Sequence, residues 1–161
     1  MRKWLEAIGL GALALLVWIT WSALNGSQRL PERIPTHFDA AGNANGWGSP
    51  AMLLLLPVVA VALYLAISVV SRFPASFNYP VRVAPEKRRR LEELTLDMIA
   101  WIKMELACLF ATLQWWMIQA ARSGEGRLPP LLMPGFLVVI FGTIGWHFVA
   151  VMRTAFAGRH S

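Results

Sequence analysis

At 161 residues, with 57% hydrophobic residues, 15% charged residues and a mean hydropathy of +0.51, the chain is too apolar for an ordinary soluble domain. Its formal charge of +6 lies beside apolar runs with no base-stacking motif, so the basic residues read as topology determinants and no nucleic-acid partner is expected. The single cysteine, Cys108, excludes an intramolecular disulfide and a cysteine-based metal site.

Arg2 and Lys3 precede an apolar run over 4–24, close to the roughly 20 residues that cross a bilayer as a helix. A cleaved signal peptide is the competing reading. The length of the run, Trp18 and Trp21 at its end and the lack of a small-x-small cleavage pattern favour an uncleaved first span. Glu6 can reach the interface and the helix N-terminus. Ala7 and Gly11 form a small-xxx-small pair that would admit a close neighbour.

Residues 30–50, LPERIPTHFDAAGNANGWGSP, are dense in turn formers. Pro31 and Pro35 push Leu30 and Ile34 towards extended backbone. Gly42, Gly46 and Gly48, with Asn43 and Asn45, supply turn positions. His37, Phe38, Asp39 and Trp47 are the side chains displayed.

Ser49 and Pro50 fit the N-cap and first turn of a second span over 51–70. Pro57 should kink that span and leave a carbonyl in need of a neighbour. A basic loop over 71–97 carries Arg72, Arg82, Lys87, Arg88, Arg89 and Arg90. Within it, Pro85 and Glu86 start a third helix that projects before entering the membrane over 98–121. Ser123 and Gly124 end it, and SGEGRLPP connects to a fourth span over 131–152. Gly135, Gly142 and Gly145 mark places for close helix approach.

With both termini in the cytoplasm, Arg2, Lys3, the 72–90 group, Arg153 and Arg159 all lie inside. The outer loops then hold Arg29, Arg33, Arg122 and Arg127, diluted by Glu32, Asp39 and Glu125, as the positive-inside rule requires. The expected architecture is an all-α integral membrane protein forming one domain over 1–161. It has four transmembrane helices and an ordered extracytoplasmic loop between the first two.

The run Pro31-Glu32-Arg33-Ile34-Pro35-Thr36-His37-Phe38, followed by Gly42 and by Asn45-Gly46-Trp47-Gly48-Ser49, resembles a bacterial membrane family of unknown function. The same domain forms the N-terminal part of SdpI-like proteins, which give immunity to a sporulation-delaying toxic peptide and help signal its presence. The Phe77-Asn78-Tyr79-Pro80 stretch is similar to that of short, stand-alone members. The resemblance implies a sensor, immunity or accessory role without catalysis. Additional C-terminal spans of full-length SdpI-like proteins have no counterpart here.

Three groups of residues carry candidate chemistry. His37 and Asp39 share one face of an extended segment, where with Glu32 and Trp47 they could contact a peptide or partner. A divalent metal is a weaker option, since a closed site needs about four ligands; the structural option is that His37 bonds backbone carbonyls and pins the turns. In the third helix Asp97, Glu105, Thr112 and Gln119 recur at seven- or eight-residue spacing along one face. Glu105 is expected to pair with His147 of the fourth helix, as interhelical glue or as the polar site of a small transport component. Lys103 should snorkel to the cytoplasmic interface. Lys87, Arg88, Arg89 and Arg90 set topology and can meet anionic lipid headgroups.

Trp4, Trp18, Trp21, Trp47, Trp115 and Trp116 read as an interfacial belt, with Trp101 and Trp146 as packing residues. No nucleophile–base set, metal motif or phosphate-cradling loop is present in the sequence, so neither an enzyme nor a cofactor is expected. The expected partners are the lipid bilayer and an extracytoplasmic peptide or membrane protein.

Overall fold

The computed structural model describes residues 2–79 and 83–157. Arg82 and Arg159 of the basic groups, and Pro80 of the FNYP stretch, lie outside them. In chain order the elements are α1 (Arg2–Asn25), β1 (Ile34–Phe38), β2 (Ala44–Gly48), a 3-10 turn (Pro50–Leu54), α2 (Leu55–Val70), a second 3-10 turn (Pro74–Ser76), α3 (Pro85–Ser123) and α4 (Leu132–Phe156). The four long helices fall where the apolar runs predict, and among the described residues three stretches are long and apolar enough to cross a membrane: α1, Pro50–Val70 and α4.

The longest helix, α3, has 39 residues and is roughly 58 Å long at about 1.5 Å per residue. Its ends follow the local chemistry. Ala84 is extended before Pro85, Glu86 lies in the first turn, and Gly124 takes the left-handed conformation just past the last turn. Buried Ala100, Ala107, Ala111, Gln114, Ile118 and Ala121 recur at spacings of seven, four, three, four and three, which draws one stripe along the helix. Because most of these side chains are small, α3 can pack against α1, α2 and α4 together. Its polar residues keep it out of the strongly apolar set: Lys103, Glu105 and Gln114 are buried among the other helices.

Three apolar layers result. At one end Ile19, Ala23, Leu53, Met117 and Ile118 enclose Ile34 of β1, which is fully buried. The middle layer joins Leu13, Leu16, Ala60, Tyr64, Ala107 and Ala111. At the far end Leu91, Val151 and Ala155 pack with Tyr79 and Val83, so Tyr79 is held against the start of α3 and the end of α4.

The all-α expectation needs one correction. Residues 34–48 form an antiparallel hairpin that pairs Ile34 with Gly48, Pro35 with Trp47, His37 with Gly46 and Phe38 with Ala44. Pro35 is tolerated because the ladder has only two strands, and its register slips on either side of His37. An isolated hairpin is marginal in water. Here Ile34 and Pro35 are buried in the end of the bundle, and the α3–α4 linker adds a third edge. Ala44 N–H donates to Gly126 O at 2.8 Å, Leu128 N–H donates to Gly42 O at 2.8 Å, and Asn43 bridges Arg127 between them. Gly42 is required there: its φ is +83°, and a Cβ would stand 2.5 Å from Leu128 O.

The close-approach positions also differ from expectation. A Cβ on Gly11, Gly135, Gly142 or Gly145 would meet nothing within 4 Å, whereas one on Gly9 would lie 3.1 Å from the Tyr64 ring and 3.5 Å from Met104 Cα. Spacing alone does not say which face of a helix has a neighbour. Trp146 is 76% exposed and so is no packing residue, because α4 touches the bundle mainly through its other face.

Pro57 produces a change of helix type in place of a mid-helix kink. The chain is 3-10 over Pro50–Leu54 and becomes α-helical at Leu55, so Pro57 sits in the first turn of α2, where an N–H has no intrahelical acceptor. The carbonyl expected to need a neighbour has one. Gln114, fully buried on α3, donates from Nε2 to Leu53 O at 3.0 Å and to Thr20 Oγ1 at 2.8 Å, and Thr20 in turn donates to Leu16 O. Gln114→Leu should therefore lower stability by about 1 kcal/mol or more, read as thermal unfolding in detergent, whereas Gln119→Leu should leave it unchanged. Equal effects of the two substitutions would refute the assignment.

Candidate functional site

At the hairpin end, a cavity of about 260 Å³ opens between β1, the start of α2, α3 and the α3–α4 linker. Leu56, Leu113, Met117 and Met133 line it from the helices and Leu128 with Pro129 from the linker, while His37, Phe38 and Asp39 line it from the hairpin. The floor is apolar and the rim polar, an arrangement suited to an apolar side chain or segment with hydrogen-bonding ends.

The two rim residues are held by the turn. Asp39 Oδ1 accepts from the N–H of Ala41 at 2.9 Å and of Asn43 at 2.8 Å, and Oδ2 accepts from Asn43 Nδ2 at 3.3 Å. The Asn43 backbone N–H is the main reason its carboxyl sits below the usual aspartate range, with the Ala41 and Gly42 amides adding to it. His37 Nδ1 lies 2.5 Å from Asn45 Oδ1, across the hairpin. The histidine thus pins the turn through a side-chain amide and not through the backbone carbonyls considered from sequence.

Glu32 and Trp47 do not join this cavity. Glu32 is exposed before β1, and the Trp47 ring lies against Gly126 on the other side of the linker. Sequence reasoning missed the linker: nothing local in RLPP signals that it folds back over the hairpin.

Residues 10–61, from the middle of α1 to the first turns of α2, match the family described as "Domain of unknown function (DUF1648)". An uncharacterized protein of Archaeoglobus fulgidus is 31% identical over 153 residues, which covers 86% of this chain and 79% of the relative. The chain belongs to the DUF1648 family. No solved structure matches it. The matched segment contains the whole hairpin, while the cavity floor and the linker rim come from beyond it.

The polar residues inside this DUF1648 bundle are arranged differently from expectation. Glu105 and His147 are both buried, but no direct hydrogen bond joins them among the described residues; Thr143 stands between. Thr143 Oγ1 donates to Glu105 Oε1 at 2.5 Å, and His147 Nδ1 lies 2.9 Å from Thr143 O, one turn back on its own helix. Glu105 Oε2 is buried without a partner. Lys103 does not snorkel. It is 5% exposed, with Nζ 2.5 Å from Glu6 Oε1, 3.0 Å from Ser68 Oγ and 4.5 Å from the centre of the Tyr64 ring. Tyr64 completes the cluster by donating to Glu6 Oε2 at 2.7 Å. Glu6 faces α2 and α3 and does not turn back to its own N-terminus, because a buried ammonium offers it more than a partial dipole charge. Asp97 pairs with Arg2 at 3.1 Å.

The basic run divides in two. Lys87 Nζ caps the end of α4 through the carbonyls of Ala155 and Ala157, and Arg88 donates to Ala75 O and Glu92. Arg89 and Arg90 lie more open, each beside Glu93.

Glu6→Gln and Lys103→Met should each lower the unfolding temperature, and the double substitution should lower it by less than their sum, since removing both partners leaves no stranded charge. Strict additivity would show the pair to be uncoupled. A pH dependence follows for the turn. The stabilisation from the Asp39 carboxylate is complete above the ordinary aspartate range, declines as the pH falls through it and is lost below the lowered folded value. Amide exchange at Asn43, corrected for its intrinsic pH dependence, should accelerate over that interval, and Asp39→Asn should abolish the transition.

Proposed function

We propose that the chain is a non-catalytic, multi-pass protein of a prokaryotic cytoplasmic membrane whose outer cap recognises an extracytoplasmic peptide or partner protein, in an SdpI-like sensor, immunity or accessory role. Connectivity supports four spans with both termini inside. If α1, Pro50–Val70 and α4 cross the bilayer, α2 ends on the side opposite the hairpin. The start of α4 is tied to the hairpin by the 126–128 linker. Hence α3 must cross between them, and its apolar stretch over 98–121 is long enough to do so. The paired arginines and Lys87 then fall inside.

The observation that carries the recognition role is the cavity beneath the hairpin, with its apolar floor and polar rim; in the orientation proposed it opens to the exterior. The rim donors and acceptors suit a peptide backbone, and the floor suits one or two apolar side chains. A second reading, a small transport component, is favoured by the buried, partnerless Glu105 Oε2 beside His147.

Cells with and without the protein, challenged by a panel of membrane-active toxic peptides, test the first reading. Protection should be lost with Leu113→Trp, which fills the cavity floor, and reduced with His37→Ala, at unchanged expression and unfolding temperature. Glu105→Gln should leave protection intact. Protection unaffected by filling the cavity would refute the site, and pH-dependent solute flux abolished by Glu105→Gln would favour transport.

A further inference from the structure

A second cleft, of about 470 Å³, lies at the hairpin end and is lined by Gln28, Trp116, Gln119, Arg122, Glu125 and Arg127. It shares no residue with the cavity under the hairpin. Glu125 and Arg127 line this cleft, whereas the next residue, Leu128, lines the apolar cavity.

Its two arginines differ from most of those at the opposite end. There Arg2, Arg88, Arg89 and Arg90 each lie within 3.7 Å of a carboxylate of Asp97, Glu92 or Glu93, and of the arginines at that end only Arg72 and Arg153 have no ion pair among the described residues. Among the described residues, the side chains of Arg122 and Arg127 form no ion pair, although Glu125 lines the same cleft. Arg122 occupies the last turn of α3, where the helix dipole alone gives a reason for a cation. Arg127 has no such reason. Its backbone is fixed by the bridge to Asn43 and by the flanking bonds of Gly126 and Leu128, which set the origin of its side chain.

The position narrows the ligand. Gln28 lies three residues past the end of α1 and Leu132 starts α4, both helices long enough to cross a membrane. The cleft therefore sits at the level of headgroup phosphates, with exposed Trp115 and Trp116 on the same turn of α3. Guanidinium forks match phosphate oxygens, the carboxamides of Gln28 and Gln119 can donate to the remaining ones, and the Glu125 carboxylate can accept from a neighbouring hydroxyl.

We propose that this cleft binds a phosphate-bearing ligand, either an anionic phospholipid headgroup or a soluble phosphate ester, through Arg122 and Arg127. The inference goes beyond the recognition role and stands without it.

The test uses the full chain purified in detergent, with dioleoyl phosphatidylglycerol, glycerol 1-phosphate and a short peptide ending in a free carboxylate as probes. Binding is read by native mass spectrometry and by the shift in unfolding temperature. Arg122→Gln with Arg127→Gln should weaken phosphate binding by roughly tenfold or more, while Arg72→Gln with Arg153→Gln, an equal loss of charge at the opposite end, should change it by less than about twofold. Should the glutamine pair fail to fold, Arg122→Lys with Arg127→Lys keeps the charge, loses the fork and should still weaken binding by a few fold. Retention of the lipid but not of glycerol phosphate assigns a headgroup, and retention of glycerol phosphate assigns a soluble ester. The proposal is overturned if neither phosphate probe is held, if the distal pair of substitutions has the same effect, or if only the carboxylate peptide binds.

Discussion

A helix carrying a lysine, a glutamate and a glutamine in its buried stripe can sit among apolar helices only if its neighbours supply the hydrogen bonds that water would otherwise make. That constraint on α3 organises the molecule. Lys103 draws Glu6 from α1 and Ser68 and Tyr64 from α2 into one cluster. Gln114 joins Thr20 of α1 to the carbonyl that Pro57 leaves open. Glu105 takes the hydroxyl of Thr143 from α4. Each polar group of α3 thus selects a partner helix, and together they fix rotation and height in a bundle whose other contacts are largely alanines and leucines, which specify neither.

The cap depends on this frame. The end of α1, the 3-10 turn before α2 and the last turns of α3 form the socket into which Ile34 inserts, and that insertion lets a hairpin of five-residue strands hold its shape. The turn is then closed from within by Asp39 and from outside by the linker. One short segment, 126–128, consequently separates an apolar cavity from a basic cleft. Arg127 lines the cleft and Leu128 the cavity, so adjacent linker residues serve opposite chemistries.

Much of the fold was legible because its signals are local. Apolar runs bounded by charges located the helices; Pro85 and Gly124 located the ends of α3; Pro57 announced an open carbonyl. His37 and Asp39 were identifiable as the displayed polar pair, although their grouping with Glu32 and Trp47 followed chain proximity, which the hairpin breaks by turning Trp47 to the other side. What could not be read depends on pairing across long separations. Glu6 and Lys103 are each unremarkable in their own windows, and a lysine with a buried acid partner has the same sequence signature as one that snorkels. Likewise a direct Glu105–His147 bond and a bridge through Thr143 are indistinguishable until helix rotation is known. The linker's backbone pairing leaves no compositional trace, since it uses amides common to every residue.

The stitch between Gly42–Ala44 and Gly126–Leu128 joins segments more than eighty residues apart, and it gives the cap a history as well as a shape. A ribosome making this chain releases the hairpin with its first two helices, long before Leu113, Met117 and Leu128 exist. During that interval the hairpin has neither a floor nor a third edge. The cavity beneath the hairpin is therefore completed only when α3 and the start of α4 have been synthesised. Completion of the cap thus waits on residues more than sixty positions further along the chain.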